Sequence, residues 1–450
     1  MAVNKILVKH DNLELKHIFL LLGIVALATL VRIVSFESVS SVEPDRIVAP
    51  DTPRYEKPAK ALIATGSMRD RLPLAETQDL HVGPAYPLFI AALYYFSDEN
   101  RKAVVYAQIA VGALSIILVF LVGREVYGRL SGLAAAGVFA LDPLQTLHAQ
   151  ILLGETLFVF FVTMSAWAAV RVLKYYHVSG GLKRCLFLGI SLGLATLVKP
   201  AAYYIVFFLL VGIFVYHLLE RRRFIEYIPF ALTLIVSFAA IVAPWHIRNE
   251  KITGAFVFTD NPAEILLYWR AGGMIAHRDG RAPEDVRREL VEQVEGRYAT
   301  LIEKMTLENN LGKEIILSDI PAFLVFYVDG VKKIIVGPGL RKFSGFYGGE
   351  QGGRSARNNS LFIWYVLLIA YSLSFLLILY SLIIVMLLKP TNGKSPGVAV
   401  VLLLCLAAYF VLAAAGHSSS DSRMRVPAMP MMAVLAGYGL IQLRQFLGRF

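Results

Sequence analysis

Ionisable residues in this chain gather where its apolar runs end. Asp51 and Arg54 lie in "APDTPRYEKPAKAL" (residues 49–62), soon after the first apolar run. His81, Asp142, His148, Glu155, Lys199, His246, Arg248, His417, Arg423 and Arg425 follow at the ends of later runs. Taken singly, each has an ordinary reading. A Lys or Arg at the end of a span extends to lipid headgroups, and a loop carboxylate is solvated. The set is stronger than its members, because separate regions of the chain supply it. One carboxylate beside a group of cations suits displacement of a phosphate leaving group by a hydroxyl. The phosphate needs little protonation, but cations or a metal must take up its charge. The carboxylate takes the proton of the attacking hydroxyl. A sugar carried on a polyprenyl phosphate is a substrate of that kind. Its transition state has oxocarbenium character, and the attack comes from the opposite face.

The elements that position these residues are membrane spans. Of 450 residues 57% are hydrophobic and only 17% charged, and mean hydropathy is +0.60. Soluble domains are less apolar and more charged than this. Spanning the hydrocarbon takes about 20 apolar residues as helix. That ruler places spans near 18–36, 103–123, 131–147, 155–175, 184–199, 201–219, 227–245, 361–388, 397–415 and 427–446. The expected fold class is an all-α integral membrane protein of about ten transmembrane helices. The first run is long for a signal-peptide core and lacks a small-x-small cleavage site, so it reads as an uncleaved span.

Lys5, Lys9 and Lys16 precede the first span, and alternate short loops carry Arg124 and Arg129; Lys174, Lys183 and Arg184; Arg221 to Arg223; Lys389 and Lys394; Arg444 and Arg449 end the chain. The positive-inside rule puts these in the cytoplasm. Two long polar segments, 37–102 and 246–360, then face the other side. In the first, Thr52 is positioned to cap a helix with Pro53 at its first position and Gly66 as its stop. Pro58 would sit inside that helix and remove a backbone bond. "GPAYPLFIAALYYF" (83–96) is too short to span easily and reads as an interfacial helix. In the second segment Val286, Leu290, Val294, Tyr298, Leu301 and Ile302 recur at helical spacing. "YGGEQGGR" (347–354) lacks the Lys-Ser/Thr of a phosphate-binding loop.

Composition excludes some classes. The net charge of +11 has no isolated basic domain or arm to carry nucleic-acid binding. Cytoplasmic loops and anionic lipid headgroups account for it. Two cysteines, Cys185 and Cys405, each in an apolar run, suggest neither a zinc site nor a disulfide framework.

The ordered motifs resemble a family. "DTPRY" after the first span, "GPAYPLFIAALYYF", "LLGETLF" (152–158), "GLATLVKPAAY" (193–203), "PWHIRNEKITGAF" (244–256) and "RMRVPAMPMMAVLAGYGL" (423–440) run in family order over nearly the whole chain. Together they look like a GT-C glycosyltransferase using polyprenyl-phosphate-linked sugars, a group that includes lipid A aminoarabinose transferases and protein O-mannosyltransferases. The resemblance implies a GT-C bundle with interfacial helices in 37–102, and a glycolipid, glycan or protein as acceptor. It implies Asp51 as catalytic base and Glu155 as its partner for metal, acceptor or base. Lys199, Arg248, Arg423 and Arg425 fall where relatives place cations near the lipid phosphate, and Arg54 lies beside Asp51. Aminoarabinose transferases carry a lysine where this chain has Gly83, which leaves His81 or Arg71 to substitute.

His81, His148, His417 and Tyr55 remain as donor, acceptor or metal contacts. The three histidines with Asp51 and Glu155 could bind a divalent ion, but they share no tight local spacing, and a hydrogen-bond network is the other option. A transporter or lipid flippase would place charges near the bilayer midplane in repeated halves, and no repeat is visible. A non-catalytic scaffold would need only the long loops.

Overall fold

The computed structural model describes residues 14–41, 44–68, 80–175, 180–219, 224–337 and 397–447. Arg71, the Gly-rich loop, the span near 361–388, and Lys5, Lys9, Arg221 to Arg223, Lys389, Lys394 and Arg449 lie outside the described residues.

Seven described helical stretches are long and apolar enough to cross a membrane. They fall on α1 (Leu15–Ser40), α4 (Arg101–Tyr127), α7 (Glu155–Lys174), α8 (Gly181–Val198), α9 (Ile205–Leu219), α10 (Phe224–Thr253) and α17 (Met429–Leu447), the stretches over α9 and α17 beginning in the 3-10 turns before them. The expected span at 131–147 is divided. α5 (Arg129–Ala140) stops before Asp142, and Pro143 opens the short α6 (Pro143–His148), with the Asp142 carboxylate accepting from the Leu144 amide. Proline at a first helical position costs no backbone bond, whereas within a continuous span it would. α16 (Val398–Ala414) is a shorter apolar helix.

α7 is the most enclosed of these helices, packed against α4 and α8, while α8 packs on α10 and α5 on both α4 and α17. Small residues permit this closeness. A Cβ on Gly189 would fall 2.9 Å from the Leu234 carbonyl oxygen, and one on Gly193 only 2.7 Å from Ile241 Cβ. These two glycines, spaced i, i+4 on α8, admit the backbone of α10. Gly132 on α5 meets the Phe120 carbonyl on α4 in the same way.

One end of the bundle is basic. Arg129 pairs with Glu14 at 3.0 Å and Lys174 with Glu125 at 2.9 Å, which joins the ends of α1, α4, α5 and α7. The opposite end carries the polar segments. There α2 (Pro53–Thr65) and α3 (Ala85–Ser97) lie against each other, and α3 packs on α4. Gly66, with φ 73°, ends α2 as expected. Thr52 stands at the N-cap with Pro53 at the first helical position, as expected, but its side chain makes no capping bond; its hydroxyl accepts from the Ala49 amide at 2.8 Å and donates to the Leu152 carbonyl at 3.0 Å. The hydroxyl is therefore spent on joining two loops. α2 runs through Pro58, whose ring is buried.

Beyond α10 come α11 (Asn261–Glu264), a π-helical turn (Ile265–Ala271), α12 (Gly272–Asp279), α13 (Pro283–Val294), α14 (Leu301–Ser318) and α15 (Ile320–Val336). The helical period over Val286 to Ile302 belongs to two helices. Gly296 turns the chain at φ 74°, and Thr300 and Glu303 form a reciprocal capping box that starts α14. Val286, Leu290 and Val294 pack with Leu267 and Tyr268 in a separate small core.

The glycine contacts give a test of this packing. Gly189→Val should lower the thermal midpoint of the purified protein, since overpacking costs about 1–3 kcal/mol. Gly137→Ala, with open space around it, should leave the midpoint unchanged or raise it. Equal midpoints for wild type and Gly189→Val in a thermal scan would contradict the close α8–α10 approach.

Candidate active site

The polar end is organised around Glu155, the first residue of α7 and only 2% exposed. A carboxylate there is favoured by the helix N-terminus, but burial requires cations as well. Two reach it. Arg423 Nε donates to Glu155 Oε1 at 2.5 Å, and Lys199 Nζ approaches the same oxygen at 2.9 Å. Arg423 Nη1 also donates to Asp51 Oδ2 at 2.8 Å. One guanidinium therefore bridges two carboxylates.

Local structure explains why these groups meet. Lys199 sits in extended backbone between α8 and the 3-10 turn Pro200–Ala202. Arg423 lies in the 3-10 turn Ser422–Ala428, opened by the Asp421 carboxylate accepting from the Arg423 amide. Asp51 stands between Pro50 and Thr52, and the loop carrying it is tied to the loop before Glu155 by the Thr52 hydroxyl and by the Leu152 amide, which donates to the Ile47 carbonyl at 2.8 Å. The 142–154 loop is itself fixed. Gln108 Nε2 donates to the Ala149 and Ile151 carbonyls, the Tyr86 hydroxyl donates to Gln108, and Gln145 donates to the Val426 carbonyl. Tyr55 is buried edge-on against Tyr86, with ring centroids 5.0 Å apart.

The two carboxylates differ. The Asp51 side chain is 37% exposed. Burial alone would raise its pKa, but the charge and hydrogen bond of Arg423 and the charge of Arg54 outweigh it, so the carboxyl titrates below the usual range. Glu155 is sealed in. Lys199, 22% exposed, is pulled to lower pKa by burial; Glu155 opposes that shift and Arg423 adds to it.

The remaining expected residues spread around this centre. His148 is buried on α6, close enough for its charge to act on Glu155. Arg425 is buried and donates to the Ile335 carbonyl at 2.5 Å, which turns it towards α15 and Asp142. Arg248 donates to Asn249 at 2.9 Å and stacks on Trp245, both on its own helix α10. Hence Lys199 and Arg423 converge, whereas Arg248 and Arg425 engage other partners. His417 stacks on Trp269, with centroids 4.6 Å apart. Its Nδ1 accepts from the Ser419 amide at 3.1 Å.

His81 turns to acids instead. Its Nδ1 lies 2.8 Å from Asp260 and 3.7 Å from Glu264. Gly83 cannot be the lysine of the resembled motif, because a Cβ there would lie 2.1 Å from the Leu197 carbonyl oxygen. The entry to α3 rests on the end of α8, and only hydrogen fits. Among the described residues no group of three or more His, Cys, Asp or Glu is placed to hold a metal ion. The gap between Asp51 and Glu155 is taken by a guanidinium.

Several contributors escaped the sequence reading. Arg32 on α1 is 1% exposed and faces Gly112, where a Cβ would come within 3.2 Å of its Nη1. Its charge acts on Asp142, yet among the described residues its Nε and Nη1 have no hydrogen-bond partner. The signal was a lone charge inside the first apolar run. Asp260 and Trp269 carried no such signal, since neither lies in a periodic stretch.

Residues 81–247 match a family model described as dolichyl-phosphate-mannose-protein mannosyltransferase. No curated protein sequence matches the chain. Among solved structures, the apo oligosaccharyltransferase of Archaeoglobus fulgidus superposes with a TM-score of 0.59 at 16% identity, over 96% of this chain and 51% of that one. The same enzyme, AglB, in complex with an inhibitory peptide and a dolichol-phosphate gives 0.56 at 14% identity, again over 96% and 51%. ArnT from Cupriavidus metallidurans bound to undecaprenyl phosphate gives 0.43 at 15% identity, over 93% and 77%. The chain thus spans about half the length of the archaeal enzyme whose fold it shares. The fold is thus an all-helical membrane architecture shared with that oligosaccharyltransferase, in keeping with the fold class expected from the sequence.

The His81 contact sets a pH dependence. Burial lowers the His81 pKa, but the hydrogen bond and charge of Asp260, with the charge of Glu264, more than reverse this, and the folded value is raised above 6.5. A raised folded pKa stabilises most below the unfolded value and is lost as pH rises through the folded one. Wild type should therefore exceed His81→Gln in thermal midpoint at about pH 5.5, with the difference shrinking by about pH 9. Midpoints measured across that range check the sign; a difference that grows with pH would contradict it.

Proposed function

We propose that this chain is a membrane glycosyltransferase that moves a sugar from a polyprenyl phosphate to an acceptor hydroxyl on the extracytoplasmic face. The observation that carries the reading is the partly open Asp51 carboxylate, joined through Arg423 to Glu155 and Lys199 at the polar end of the bundle. The mannosyltransferase family match over 81–247 supports it, as does a fold shared with an enzyme solved with a dolichol-phosphate.

Asp51 accepts the acceptor's hydroxyl proton as its oxygen attacks the anomeric carbon. The bond from that carbon to the phosphate oxygen breaks, and its electron pair leaves with the polyprenyl phosphate. Lys199 and Arg423 meet the charge that develops there. Glu155 contacts neither reactant; it orients the two cations. Without donor, Arg423 weakens Asp51 as a base by donating to it. A phosphate competes for the same guanidinium and releases Asp51, so base strength rises when the leaving group is in place. Direct displacement inverts the anomeric centre. The segments 37–102 and 246–360 serve as the donor and acceptor walls, and the acceptor is a glycolipid, glycan or protein.

Mass spectrometry of surface glycolipids and glycoproteins, with and without the protein, tests the activity. Loss of no glycan would refute it. Asp51→Asn should reduce transfer by about 10²–10⁴ while undecaprenyl phosphate still binds, the loss typical of a missing general base. Transfer by the purified variant within about threefold of wild type would remove Asp51 from that role. Orientation follows from the basic end of the bundle, which the positive-inside rule places in the cytoplasm. In a background with both native cysteines replaced by serine, Glu292→Cys should react with an impermeant maleimide in intact cells. Reaction only after permeabilisation would reverse the orientation.

A further inference from the structure

Arg287 on α13 stands outside the carboxylate–cation centre. Its guanidinium carbon lies 3.7 Å from the centre of the Trp269 ring, while the His417 imidazole stacks on the same indole at 4.6 Å and 18°. Groups that close cannot share one face, so the indole is held between them. Arg270, the next residue in the π-helical turn, donates to the Ala413 carbonyl at 2.9 Å. The Ser418 amide donates to the Trp269 carbonyl at 3.0 Å, which seats the turn on the 413–418 loop. π-helical turns are rare and recur at functional sites.

Among the described residues no ion pair involves Arg270 or Arg287, and the Nε of each is buried with no hydrogen-bond partner. Three arginines nearby in the same segment do have acids: Arg278 pairs with Asp279 and Asp319, Arg281 with Glu289, Arg288 with Asp285. Two guanidinium groups held in place without counter-charge form an arrangement that an anion completes. The site adjoins the catalytic centre. The charges of Arg270, Arg287 and Arg423 all act on His417, and burial with these charges depresses its pKa to about 4. His417 is therefore a neutral imidazole at physiological pH. With Nδ1 accepting from Ser419, it keeps its proton on Nε2 as a donor.

We propose that Arg270 and Arg287, braced by Trp269 and His417, form an anion subsite separate from the Lys199–Arg423 centre, and that it receives a phosphate or carboxylate borne by the acceptor. This deepens the glycosyltransferase reading and rests on it for the word acceptor. An acidic acceptor would dock its charge there and place its hydroxyl towards Asp51, whose charge also acts on His417. Such docking orders the acceptor without entering the bond-making step.

Inorganic phosphate is the probe, titrated at constant ionic strength into the full chain in nanodiscs, with Trp269 fluorescence as readout. Trp269→Phe identifies the signal. The titration is run with and without saturating undecaprenyl phosphate. Saturable phosphate binding that persists with the lipid present, and weakens at least about tenfold in Arg287→Gln or Arg270→Gln, is expected; that loss matches removal of one charge-assisted contact. Circular dichroism confirms that each variant is folded. Abolition of the signal by undecaprenyl phosphate would assign these arginines to the donor and overturn the subsite. Absence of saturation, or unchanged affinity in both variants, overturns it equally. Failure of undecaprenyl phosphate itself to bind would instead refute the glycosyltransferase reading and the acceptor assignment with it. In a reconstituted transfer assay, Arg287→Gln should raise the acceptor KM and leave the donor KM unchanged.

Discussion

A carboxylate cut off from water must be neutralised by its surroundings, and the polar end of this protein is built to do that for Glu155. Arg423 and Lys199 both reach one of its oxygens. Removing one member of a buried pair leaves an uncompensated charge, at a cost of about 3–5 kcal/mol. The requirement brings the ends of three helical regions together and fixes where the neighbouring carboxylate goes. Asp51 and Arg423 are 372 residues apart in sequence, yet share a hydrogen bond. The chain between them is arranged so that this contact can form.

The surrounding hydrogen bonds serve the same end. A loop that must present a carboxylate at a set depth loses conformational entropy, and each fixed residue costs about 1–2 kcal/mol. Here the 142–154 loop is held by Gln108, by Gln145 and by the Thr52 hydroxyl. That entropy is spent on folding, before any substrate arrives. Rigid support also separates the carboxylates: one closed and paired with two cations, the other partly open and adjustable through a shared guanidinium.

Much of this was legible in the sequence. The spans were, because a run of about 20 apolar residues matches the hydrocarbon thickness and seldom occurs in a soluble fold. Asp51, Glu155, Lys199 and Arg423 were, because an ionisable group at membrane depth is costly and stands out. The division at Asp142–Pro143 was less visible, since hydropathy averages across a break that one proline and one cap create. Thr52 was misread because a hydroxyl before a helix has a standard local use, and its actual partner lies 100 residues away. Arg248 and Arg425 matched a position in the motif order, but order along the chain does not fix where a long side chain points. Gly83 could be interpreted only once Leu197 was seen against it.

Arg32 has a consequence for how the protein is made. It lies eight residues before the end of α1, about 12 Å along the helix axis. Its balancing charge, Asp142, is more than a hundred residues further on in the chain. During synthesis α1 therefore reaches the membrane before its counter-charge exists. An arginine within a span opposes insertion by up to about 2.5–3.5 kcal/mol, and the apolar residues of α1 compensate for it, since an 18-residue stretch of the helix that includes Arg32 still has a mean hydropathy of 2.5. Gly112 on α4 then provides the recess into which the guanidinium turns away from lipid. The first helix is thus inserted on its hydrophobicity alone and acquires its fixed rotation only when later helices arrive, so the order of translation is also the order in which the bundle loses its freedom to turn.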